Sequence, residues 1–270
     1  MLATLVAPNK VEYRDVDGDT VSVQFSKSFL TTANANSVFG FDIGNVNGSN
    51  AMPQRLNTIT LSGVAAAAGT TITTIAVRNA ATGGDGFASL GQIDATGRDL
   101  SKVTIDGDLG RILAGDATTA TPGLGALKVH SMGRFGTATG ATDLNSVIQG
   151  AVASLTSASD IQDAFIWVQG GADGKLGRVT IGGSLIGGAT ANSGRILSSR
   201  DMGAVSIAGG IVGGMGTASG HISAGGKLTS LLIRGSLTGG GGNNSGQVSS
   251  ALELGGVRVT GNIVGGAGTG

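Results

Sequence analysis

Asp15, Asp17 and Asp19 alternate along the stretch DVDGD, and carboxylates at that spacing in a turn can converge on a hard cation such as Ca2+. The position where a calcium loop must bring a bidentate Glu holds Ser26 instead. Turn chemistry between two strands accounts for the same residues without a metal, because Asp and Gly supply the side-chain acceptors and the positive φ that tight turns use. Both readings stay open, with Asp15, Asp17 and Asp19 as the candidate ligands. A second acidic run holds Asp94, Asp99, Asp106, Asp108 and Asp116. Paired acids on one face can hydrolyse glycosidic bonds, and Asp106 with Asp108 is the pair that such a reading would use. These residues also fall where Gly and Asn stand in other copies of the repeat described below, so corner chemistry explains them as well.

His130 and His221 occupy non-equivalent places with no Ser or Asp at a fixed offset. A nucleophilic triad therefore has no signature here, and both are expected as solvent-facing strand residues. Trp167, beside Phe165 and Ile166, could stack on a sugar ring but reads first as a plug in an irregular stretch. The phrases GGSLIGG and GGIVGG lack the lysine and hydroxyl of a phosphate loop, and no helix follows them. With no cysteine in the chain, thiolate zinc sites, disulfides and a cysteine nucleophile are excluded.

The elements that must position these residues are written in a repeat. LGRVTIGGSLIGG from Leu176, MGAVSIAGGIVGG from Met202, LTSLLIRGSLTGG from Leu228 and LGGVRVTGNIVGG from Leu254 start 26 residues apart. Between them SGRI, SGHI and SGQV, at Ser193, Ser219 and Ser245, keep the same period. An unbroken period of this size means stacked equivalent units. Within one unit the apolar residues alternate at a spacing of two, β-branched types dominate and glycine ends each run, which is strand and not helix. Three short strands per unit, with Gly corners, describe a coil of roughly triangular section. The expectation is an all-β chain, a right-handed parallel β-helix of about 26 residues per coil, with coils about 4.8 Å apart.

In that stack Ile181, Ile207, Ile233 and Val259 form one interior column, Ile196, Ile222 and Val248 a second, and Leu185, Ile211, Leu237 and Ile263 a third. Each buried side chain contributes roughly 1.5 to 3 kcal/mol. If the third column points in, Ile186, Val212, Thr238 and Val264 point out, and an exposed apolar ladder of that kind marks a contact surface. Residues 56–175 carry the repeat in degraded form, with Leu155 falling 26 before Ile181, and residues 176–270 carry it regularly. Residues 1–55 differ: VEYRDVDGDTVSVQF reads as a hairpin about Asp17 and Gly18, and Tyr13, Phe25, Phe29, Phe39 and Phe41 supply most of the aromatic residues. Such a segment suits a β cap, which closes the unpaired edge of the first coil.

Lys plus Arg balances Asp plus Glu at 17 each, which argues against a phosphate-binding surface and hence against nucleic acid. No window gives the roughly 20 apolar residues of a membrane span. DVDGDTVSVQFSK, GQIDATGRDLSKVTIDGDLGRILAGDATTATPGL and GKLGRVTIGGSLIGGATANSGRI resemble the repeat regions of large exported or surface β-solenoid proteins of planctomycete and verrucomicrobial type. The resemblance covers nearly the whole chain, and its most specific part is the 26-residue unit. It implies an exported β-solenoid segment of a longer polypeptide and carries over no activity or binding residues. The function expected on these grounds is that of a non-enzymatic structural or adhesive segment outside the cell or on its surface, with further repeats or other copies of itself as partners. The alternative is a carbohydrate-active β-helix that meets polysaccharide through Asp106 and its neighbours.

Overall fold

The computed structural model describes residues 3–48 and 53–268. They form an all-β chain, a parallel β-solenoid of about 8 turns. Alternation of β-branched and polar residues makes the strands, and each strand hydrogen-bonds to its equivalent one coil away. On one face Ile72, Val103, Leu127, Leu155, Val179, Val205, Leu231 and Val257 stand above one another in register. Their spacing along the chain is 31, 24, 28 and 24 residues before it settles at 26. Leu155 thus stands under Val179, and Ser157 under Ile181; the 26-residue offset expected from Leu155 to Ile181 is corrected to 24 from Ser157.

The regular coils place three strands each, as in Leu176–Ile181, Leu185–Ile186 and Arg195–Ser198. The predicted columns hold: Ile196 stacks under Ile222 and Val248, and Leu185 under Ile211, Leu237 and Ile263. The third corner explains the SG phrase. The hydroxyls of buried Ser193 and Ser219 and of half-buried Ser245 accept the N–H groups of Gly188, Gly214 and Gly240 at 2.8, 2.8 and 2.9 Å. The following Gly194, Gly220 and Gly246 have φ of 59°, 59° and 60°, in the left-handed region that glycine adopts freely. A Cβ on Gly213 would meet the backbone of Gly246 in the next coil. The recurring glycine there is set by backbone approach.

The N-terminal strands run the other way. Strands β1 (Thr4–Ala7), β2 (Lys10–Arg14) and β3 (Thr20–Phe25) form an antiparallel meander. β4 (Phe39–Phe41) pairs antiparallel with β5 (Leu56–Thr60), while β3 pairs antiparallel with β6 (Thr70–Val77). β5 and β6 belong to the first coil, and on their other sides both pair in parallel with the second. The aromatic residues fill the space beneath: Phe25 lies 4.8 Å from Phe29 and 5.9 Å from Phe39, and Tyr13 lies 5.1 Å from Phe41, centroid to centroid. At the far end the interior columns finish exposed, with Leu254 at 46%, Val257 at 47% and Ile263 at 73%.

The corner geometry gives two opposite expectations. Ser219→Ala leaves the half-buried Gly214 N–H without its acceptor and lowers unfolding stability by about 1 kcal/mol. Ala218 holds φ of 55° where the neighbouring coils have Asn192 and Asn244, so Ala218→Asn raises stability by about 1 kcal/mol. Thermal or denaturant unfolding of the two variants measures both.

Candidate functional site

The DVDGD stretch is the turn of the β2–β3 hairpin, Arg14 pairing with Thr20. Gly18 takes φ of 98°, and the turn is held by side chains that accept backbone N–H groups. Asp15 Oδ1 accepts from Asp19 at 2.8 Å and Gly18 at 3.2 Å. Asp19, fully buried, reaches outside the hairpin: its Oδ1 accepts the Asn79 N–H at 2.5 Å and its Oδ2 the Gly86 N–H at 2.6 Å. Asp17 Oδ2 accepts the Asp85 N–H at 2.9 Å. Asp17 and Asp19 therefore pin the loop over residues 79–86 onto the cap, across 60 to 68 residues of chain, while Asp15 holds the turn itself.

Oxygens of Asp15, Asp17 and Asp19 lie within 4.8 Å of one another, so the expected convergence is present. Its electrostatics are those of an acid pair. Burial, then the hydrogen bond and charge of Asp17, push Asp15 up to about 8, while that hydrogen bond from Asp15 holds Asp17 below the usual carboxylate range. The two shifts together favour the proton on Asp15, shared toward the Asp17 carboxylate. Ca2+ bound here would have to displace that proton and share oxygens already accepting amides. The turn opens beside a cleft of about 340 Å³, whose other walls are Arg55, Asp85, Phe87 and Phe135.

The second acidic run does not assemble. Asp108 is buried and accepts from Ser131 Oγ at 2.7 Å and from the Arg134 and Phe135 N–H groups at 3.1 and 3.3 Å. Asp106 is exposed and lies within the register shift that falls between Ile105 and Asp108. Asp94 and Asp116 cap their own turns, accepting from Thr96 at 3.0 Å and Thr118 at 2.7 Å. Asp99 accepts from Thr121 Oγ1 at 2.7 Å.

Two expectations about single residues are corrected. His221 is buried, its Nε2 lying 2.8 Å from Ser249 Oγ, and its Nδ1 has no partner. It stands in register between Arg195 and Gln247, and burial together with the Arg195 charge pushes it down to about 4. Trp167 and Phe165 plug nothing. They alternate with the buried Ile166 and Val168, and their half-buried rings stack on the outer face 6.1 Å apart. The ladder stands where its residues were placed: Ile186, Val212, Thr238 and Val264 are in register one coil apart, with Val212 and Val264 exposed.

Comparison with protein-family models, with curated proteins and with solved structures finds no match to the chain. The class is defined by the fold, a parallel β-solenoid with an antiparallel cap. Among the described residues no helix is long and apolar enough to cross a membrane.

Both perturbed groups have a pH signature. Asp15 titrates above its unfolded value near 3.8, so the stability it contributes is present in acid and is lost as pH rises toward 8. Asp15→Asn, which keeps the donor to Asp17, flattens that fall in melting temperature between pH 5 and 9. His221 titrates below 6.5, so its contribution is present above that pH and is lost as pH falls toward 4. His221→Gln, the residue found at 247, removes the acid-side loss in the same melting series.

Proposed function

We propose that the chain is a non-enzymatic structural or adhesive β-solenoid segment of an extracellular or cell-surface protein, which associates with further coils or with a second copy. The observation that carries this reading is how the periodic polar groups are used. Ser193, Ser219 and Ser245 close their own corners. Asp160, Ser184 and Ser236 accept N–H groups of the next coil, from Ser184 at 2.7 Å, Gly210 at 3.1 Å and Asn262 at 3.1 Å. Such a stack repeats contact surface along its length, and contact is what it has to offer.

Apolar groups supply that contact in two places. The end of the last coil exposes Leu254, Val257 and Ile263, and the flank carries the Val212 and Val264 ladder. Clustered exposure of this kind favours a covered face. The opposite end of the solenoid is closed by the antiparallel cap. Association through the face that bears Leu254, Val257 and Ile263 is therefore with further repeats or with the same face of a second copy, and a head-to-tail filament would have to displace the cap. The polysaccharide-cleaving alternative has less support, because Asp108 is committed to Ser131, Arg134 and Phe135.

Sedimentation velocity tests the reading. The chain is expected to show concentration-dependent pairing that Leu254→Lys with Ile263→Lys removes and that Ile186→Lys with Val212→Lys weakens only if the flank takes part. A chain that stays monomeric at every concentration overturns self-association.

A further inference from the structure

The cleft at the junction of cap and coil is built from four separate pieces of chain. The hairpin turn brings Asp15 and Asp17, the start of the first coil brings Arg55, and two coil corners bring Phe87 and Phe135. Its volume of about 340 Å³ lies at the low end of the range for small-molecule sites. Phe87 and Phe135 remain 37% and 52% exposed, large for phenyl rings in a chain with so few aromatic residues. Neighbours set their orientation: the His130 ring lies 4.1 Å from Phe87, and the Arg134 guanidinium lies 5.8 Å from the centre of Phe135.

The polar groups facing this wall are of both kinds. The Asp17 and Asp85 carboxylates accept, the Arg55 guanidinium donates in its planar fork, and Ser89 does either. A purely apolar guest would strip water from these groups without replacing its hydrogen bonds. An anion would meet the carboxylates and a cation would meet Arg55, so neither sign of charge is matched. A ring whose hydroxyls both donate and accept, and whose C–H face is apolar, matches both walls at once.

We propose that this cleft binds a neutral saccharide of one or two rings, with a sugar face against Phe87 and Phe135 and its hydroxyls on Arg55, Asp17 and Asp85. The site goes beyond the scaffold reading and is independent of how the rod associates. It gives the segment a recognition element at its capped end. The acid held on Asp15 supports the assignment, since a protonated carboxyl next to Asp17 keeps the cleft from accumulating negative charge.

Saturation-transfer NMR on the intact chain tests it, with methyl glucoside, methyl galactoside, N-acetylglucosamine and cellobiose as probes and hexylammonium and hexanoate as charged controls. At least one sugar is expected to bind with a Kd on the order of 1 mM, weakened about tenfold by Phe135→Ala and by Arg55→Gln, while the melting temperature stays at the parent value. No response from any of the four sugars overturns the proposal. So does binding that survives both variants, or a charged control that binds as tightly as the best sugar. The Leu254→Lys, Ile263→Lys chain should bind the sugar as the parent does, so failure of the cleft and failure of the association are read separately.

Discussion

The rest of the structure depends on the closeness of neighbouring backbones at the coil corners. Stacked coils are fixed about 4.8 Å apart by the hydrogen-bond ladder, and at the third corner the chain also turns back on itself within that spacing. A Cβ on Gly187 or Gly213 would meet the backbone of Gly220 or Gly246 in the next coil. The corner then needs an acceptor for the amides it turns inward, and Ser193, Ser219 and Ser245 provide it. Glycine and serine recur for these reasons, and the apolar columns follow because a coil that closes the same way each time puts the same positions inside.

A ladder of this kind has two edges, and an uncovered edge is a template for another chain. β3 and β4 solve the problem at one end by running antiparallel to β6 and β5. Antiparallel pairing ends the rung-by-rung register that would let another copy continue the stack. The cap has its own aromatic core because it cannot share the columns of a coil whose strands run otherwise. Where its hairpin turn meets the first corners, the two packing schemes do not mesh, and the cleft is the space left between them.

Whatever repeats was legible in the sequence. The interior columns from Leu176 onward, the hairpin about Gly18 and the outward position of Ile186 and Val212 follow from a period of 26 and from alternation. In the irregular coils the step between stacked residues changes from 31 to 24 to 28, because loops of different length absorb the difference at a corner, and a fixed offset then misassigns Leu155. The partners of Asp19 lie 60 and 67 residues away, beyond any local spacing. His221 looked like a surface residue because its strand position points outward. Its burial comes from Arg195 and Gln247 stacked on either side, and that could have been inferred by asking what stands one period away. The cleft left no such signal, since Arg55, Phe87 and Phe135 share neither motif nor period.

The division between regular and irregular coils is also a division of chemical freedom. In the regular part each side chain has its own equivalent above and below it, so a charged or reactive group would stand beside whatever the same position carries one rung away. Polar groups there are stable when they pair with the next coil, as Ser249 does with Ser223 along one column and His221 with Ser249 across to the neighbouring one. At the junction with the cap the neighbours are unrelated in sequence, and a carboxylic acid, a carboxylate, a guanidinium and two phenyl rings can meet in one place. The stack supplies length and rigidity, and specific recognition is concentrated where the stack is interrupted.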